Sequence, residues 1–101
     1  MKRKIVVIQS AKNDIRKGKD YYKDINPSLA KEFLDRVKEG RLFISENPKA
    51  NDVMYRNVRM HLLKQFPYHL HYYEEDERNK IVIIAVEFAI RENLDFTFRV
   101  K

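Results

Sequence analysis

The spacing of apolar residues changes once along this chain, and that change limits the folds open to it. From Ala11 to Ile44 apolar positions recur at every third or fourth residue. Ala11, Ile15, Gly18 and Tyr22 form one stripe, and Ala30, Phe33, Val37, Gly40 and Ile44 form a second, flanked by Leu34 and Phe43. Beyond Met54 the chain becomes rich in Val, Ile, Leu, Tyr and Phe over Met54 to Phe66, Tyr68 to Tyr73 and Lys80 to Phe88. Phe66-Pro67 and the acidic run Glu74 to Glu77 separate these stretches. The pattern predicts two helices followed by three sequential strands joined by short turns.

The punctuation agrees with the periods. Four consecutive β-branched residues, Ile5 to Ile8, predict a short strand over Lys4 to Gln9, after which Ser10 is suited to cap a helix. Asn26-Pro27 closes that helix and opens the next, and Asn47-Pro48 stops the second. Both glycines, Gly18 and Gly40, fall on the apolar stripes. A glycine inside a helix costs about 1 kcal/mol relative to alanine, so a close contact of helix with helix or helix with sheet is expected there. The unbroken run Ile81 to Val86 is the candidate central strand, covered on at least one face by helices. The tail from Leu94 to Val100 alternates and is expected to add a strand or dock in extended form. The class is therefore α+β: an N-terminal strand, a two-helix hairpin, then an antiparallel sheet of three to four strands packed on the helices. At 101 residues a single domain over 1–101 is expected, since half that length does not bury a core unaided.

Hydrophobic residues make up 44% and charged residues 36%, with 2 Gly and 3 Pro, which is the composition of a folded protein. Cysteine is absent, so no disulfide framework or thiolate metal site exists. The apolar run Ile5 to Ile8 is too short for a signal-peptide core or a membrane span, and a cytoplasmic location is expected. Lys and Arg number 21 against 15 Asp and Glu, a net charge of +6, which favours nucleic acid or an acidic protein segment as partner; solubility alone is the competing account. The surplus is expected on the second half, where no acidic residue occurs between Val53 and Tyr73.

His61, His69 and His71 lie in one eleven-residue window. On a strand His69, His71 and Tyr73 share one face while Tyr68, Leu70 and Tyr72 share the other. With Arg56, Arg59 and Lys64 they make a basic, aromatic-rich face of the kind that neutralises phosphates and stacks on bases. Two histidines at i and i+2 without Cys or a well-placed carboxylate are a poor metal site, and no metal or cofactor is expected. Glu74 to Glu77 is expected to be a solvated turn. Arg91, a few residues past the predicted central strand, is placed to offer its guanidinium to a phosphate or carboxylate, or else to pair with Glu87, Glu92 or Asp95. No phosphate-binding glycine loop or Ser/His/Asp motif is present.

Several stretches, in this order and spacing, resemble the RelE/ParE toxin superfamily: Ser10-Ala11-Lys12-Asn13-Asp14-Ile15, Asp20-Tyr21-Tyr22, Ala30-Lys31-Glu32-Phe33, Glu46-Asn47-Pro48, Asn57-Val58-Arg59, Phe66-Pro67-Tyr68-His69-Leu70-His71-Tyr72, and Ala85-Val86 followed by Arg91. The resemblance covers essentially the whole chain. It implies the toxin of a type II toxin–antitoxin pair, associated with growth inhibition and plasmid stabilisation, whose partner is a cognate antitoxin. Its target would be DNA gyrase for a ParE-like toxin, or the ribosome and its mRNA for a RelE-like endoribonuclease. Many relatives carry a histidine where this chain has Phe88, a proline where it has Asn93, and often an arginine where it has His69. An RNA-cleaving version would have to use His69 or His71 as base or acid and Arg91 to stabilise charge. The depleted pattern favours a ParE-like protein that binds its target through Arg56, Arg59, Lys64 and Arg91. A non-toxic nucleic-acid-binding domain is the third expectation.

Overall fold

The computed structural model describes residues 3–89 and 95–100. Strand β1 (Lys4–Val7) leads into helices α1 (Gln9–Ile25) and α2 (Pro27–Glu46), followed by strands β2 (Val53–Tyr55), β3 (Val58–Leu62), β4 (Tyr68–Glu75) and β5 (Lys80–Phe88). The five strands form one sheet in the order β1-β5-β4-β3-β2, with β1 parallel to β5 and the other neighbours antiparallel. The fold is α+β as expected. The sheet is mixed, because the helical hairpin is a crossover long enough to return the chain parallel to its first strand.

The predicted stripes are the buried ones. Ala11, Gly18 and Tyr22 of α1 and Ala30, Phe33, Val37, Gly40 and Ile44 of α2 face inward. They meet Leu70, Tyr72, Ile81, Ile83 and Val86 in the main core. A cluster of rings, Tyr22, Phe33, Phe66 and Tyr68, fills its middle with centroids 4.8–6.2 Å apart. Both glycines answer to close contacts. A Cβ on Gly18 would lie 2.6 Å from the Phe33 ring, helix against helix, and one on Gly40 would lie 3.0 Å from Leu70 and 3.1 Å from Leu63, helix against sheet.

Asn26 caps α2 as expected, its side chain accepting the Ser28 amide at 2.9 Å. Four expectations need correction. Ser10 lies inside α1, which begins at Gln9 after Ile8 with no side-chain cap. The stretch read as one strand from Met54 breaks into β2 and β3, because Tyr55 pairs with Val58 across a two-residue turn in which Arg56 takes φ 48°. Without a glycine in that turn, the left-handed residue carries no sequence signal. The acidic run is not all solvated: Glu74 and Glu75 belong to β4, and only Asp76–Arg78 forms the turn. The tail adds no strand. Thr97–Arg99 makes a short 3-10 turn, and Phe96 is buried with Val58, Val82, Ile84 and Ala85 on the face of the sheet away from the helices. A register shift between His71 and Tyr72 sends both Ile84 and Ala85 to that face.

Among the described residues no helix is long and apolar enough to cross a membrane.

Candidate functional site

The alternation of β4 places Tyr68, Leu70 and Tyr72 in the main core and His69 and His71 on the opposite face. The tail changes the character of that face. His71 is only 3% exposed, with the Phe96 ring edge-on at 5.0 Å and the Tyr55 hydroxyl 2.9 Å from Nδ1. Tyr55 in turn accepts the Phe96 amide at 3.4 Å. Burial, with His69 nearby, lowers His71 to about 4, so the ring is neutral at physiological pH. Burial also lowers His69, and burial followed by His69 and Lys64 lowers His61.

The three histidines do not converge. His61 faces α2, stacked on Phe43 with centroids 5.0 Å apart and held at Nδ1 by the Asn51 amide at 3.2 Å. His69 and His71 are in ring contact, with centroids 6.3 Å apart, whereas His61 feels His69 only through its charge. Among the described residues no group of three His, Cys, Asp or Glu is placed to hold a metal ion.

The arginines and lysine expected to read a target are engaged by acids. Arg56 reaches Asp95 at 2.7 Å, and Asp95, bonded first by the Thr97 hydroxyl and then by Arg56, is held at about 2. Arg59, side chain 19% exposed, donates to the Asn51 carbonyl and lies 3.6 Å from Glu74. Glu74, 9% exposed, gathers Arg3 and Lys49 as well, and so ties β1 and the α2–β2 connection to the sheet. Lys64 stays 81% exposed, with Glu39 3.7 Å away. Arg91 and Asn93 lie outside the described residues. Phe88, at the position where the resemblance implied a histidine, stacks on Tyr68 at 4.7 Å.

Two features escaped sequence reading. Asp14 of α1 accepts the Val86 amide at 3.0 Å and the Arg99 guanidinium at 2.7 Å, while Arg99 also donates to the Ile84 carbonyl at 2.9 Å and covers the Phe96 ring at 4.7 Å. This pins the tail across the sheet and joins it to the helical layer; the partners are 85 positions apart, and no local pattern announces such a pair. The second feature is where the charge lies. Residues 1–50 hold 13 Lys and Arg against 7 Asp and Glu, whereas residues 51–101 hold 8 of each, so the surplus belongs to the first half and not the second. The acid-free window is offset by the acids from Glu74 onward. On the helical side a groove of about 540 Å³ runs between α2 and the edge strand β1, floored by Ile5 and Leu42 and rimmed by Lys38, Arg41, Asp35 and Glu39.

This arrangement of strand, helical hairpin and returning sheet is the RelE/ParE-like fold. Over 85% of this chain and 95% of the other, it superposes on a chain of a chromosomal ParDE toxin–antitoxin system from P. aeruginosa with a TM-score of 0.74 and 18% identity. Over 87% and 99% it superposes on a chain of the RelBE2 toxin–antitoxin complex from Mycobacterium tuberculosis, with a TM-score of 0.58 and 17% identity. No family model matches the sequence, and no curated protein matches it significantly.

Proposed function

We propose that this chain is the toxin of a type II toxin–antitoxin pair that inhibits growth by binding a macromolecular target, and that an acidic antitoxin segment neutralises it. The observation that carries the proposal is the RelE/ParE-like fold, shared across nearly the full length of chains from two toxin–antitoxin systems. The partner follows from the surface. The α2–β1 groove has an apolar floor and a rim of mixed charge, Lys38 and Arg41 beside Asp35 and Glu39, which suits an amphipathic segment whose acidic groups meet the two cations.

Binding is preferred to RNA cleavage because His71 is poorly placed for acid–base work and His61 faces α2, away from it. A base that titrates near 4 and sits beneath Phe96 has little driving force to take a 2′-hydroxyl proton at pH 7. Arg56 and Lys64, exposed at opposite ends of β3, together with Arg59 and Arg91, are the proposed target contacts, with DNA gyrase the first target to try.

Inducible expression in bacteria, with and without the short open reading frame beside its gene, tests the proposal. Growth arrest relieved by the neighbour is expected, with inhibited gyrase supercoiling in vitro and no new mRNA ends by primer extension. Absence of arrest in every host would overturn the toxin assignment. Codon-linked cuts would replace target binding by RNA cleavage.

A further inference from the structure

The side of α1 that holds Lys12, Arg16, Lys19 and Lys23 is built against its own stability. These residues follow one another at spacings of four, three and four, so all four emerge on one side of the helix. They make three adjacent like-charge pairs, each opposing the helix by roughly 0.2–0.5 kcal/mol. Lys19 lies 3.7 Å from Asp20, and Lys12, Arg16 and Lys23 form no ion pair with any described residue. On the sheet side the opposite holds, since Arg3, Arg56, Arg59 and Arg99 each meet a carboxylate. Arg41 of α2 lines the same cleft as Lys12 and extends the stripe toward β1.

We propose that this side of α1 binds the phosphodiester backbone of nucleic acid. The stripe spans twelve residues, and its eleven rises of 1.5 Å cover about 16 Å, which is the length of several successive phosphates. An acidic peptide is the less suited occupant, because a protein interface needs an apolar centre and the stripe has none. The exposed large apolar residues of α1, Tyr21 and Ile25, emerge elsewhere on the helix, and Tyr21 packs toward Phe88. Backbone phosphates need only cations at regular intervals.

Fluorescence anisotropy with the purified chain tests this, using a 20-nucleotide single-stranded RNA, a 20-base-pair DNA duplex and a polyglutamate peptide between 50 and 200 mM KCl. Binding of at least one oligonucleotide is expected, weakening steeply with salt. Lys12→Gln, Arg16→Gln and Lys23→Gln are each expected to reduce the slope of log K against log salt by about 0.7 for single strands or 0.9 for duplex. The triple variant should lose at least tenfold in affinity at 50 mM KCl. A charge-matched control, Lys31→Gln with Lys49→Gln and Arg78→Gln, all exposed and away from this side of α1, should retain the binding. All three α1 side chains are solvent-facing, and circular dichroism checks that the variants fold. The proposal is overturned if neither oligonucleotide binds at 50 mM KCl, if the two triple variants lose affinity equally, or if polyglutamate binds where the oligonucleotides do not.

Discussion

Gly18 and His71 illustrate how single residues are constrained here. Gly18 was legible as a close contact because a helical glycine on an apolar stripe has a cost to explain, although the partner, Phe33, was not. Alanine at 18 gains helix propensity of about 1 kcal/mol but drives a methyl into a ring locked among Tyr22, Phe66 and Tyr68. Overpacking of this kind costs roughly 1–3 kcal/mol, so Gly18→Ala should lower the urea midpoint. Gly40→Ala, with contacts of 3.0–3.3 Å to three side chains, should be milder. A Gly18→Ala variant more stable than wild type would contradict the packing described. For His71 the folded value of about 4 lies below the unfolded value of about 6.5. Between those values the unfolded chain binds the extra proton, so stability is complete above pH 6.5 and falls as pH drops toward 4. A shift of that size corresponds to about 3 kcal/mol. NMR titration of His71, with urea midpoints from pH 7.5 to 4.5, checks this; titration of His71 near 6.5 would remove the claim of a buried neutral ring.

At the scale of elements, the helices were more legible than the sheet. A stripe of period 3.6 read from Ala30 to Ile44 names its buried positions directly, and Asn26-Pro27 names the start of α2. The strands are half-buried segments whose pairing is decided by residues far apart, so the parallel β1–β5 pair and the break at Arg56 had no local signature. The basic face expected on β3 and β4 is less bare than its sequence suggests, for a related reason. Window counting sees Arg56, Arg59 and Lys64 but not the carboxylates of Asp95, Glu74 and Glu39 that the fold brings to them. The tail is the clearest case. Asp14, 10% exposed, and Arg99, 17% exposed, form its anchor, and Asp14→Ala leaves both Arg99 and the Val86 amide without that partner. Breaking one side of such a pair costs about 3–5 kcal/mol when fully buried, and about half that is expected at this exposure. Denaturant unfolding measures the loss, and faster hydrogen exchange at Phe96 and Val100 should accompany it. Unchanged exchange would mean that the anchor does not hold the tail.

Over the whole molecule the two layers divide the charge. The sheet layer satisfies most of its arginines internally, whereas α1, with five Lys and Arg against three Asp, carries an excess that an acidic partner can meet, and α2 balances four against four. Counting by halves shows where the surplus lies, but the pairing that neutralises the sheet's arginines is not visible in the sequence. The proposed neutralising segment belongs at the α2–β1 groove, where Leu42 is 48% exposed on the floor between Lys38 and Arg41. Co-purification of the tagged chain with the product of the adjacent short gene, as wild type and as Leu42→Glu, tests this most directly. The account predicts a stable complex with the wild-type chain and at least a tenfold weaker one with a folded Leu42→Glu chain. A wild-type chain that recovers no partner, or a variant that binds it equally well, would contradict it.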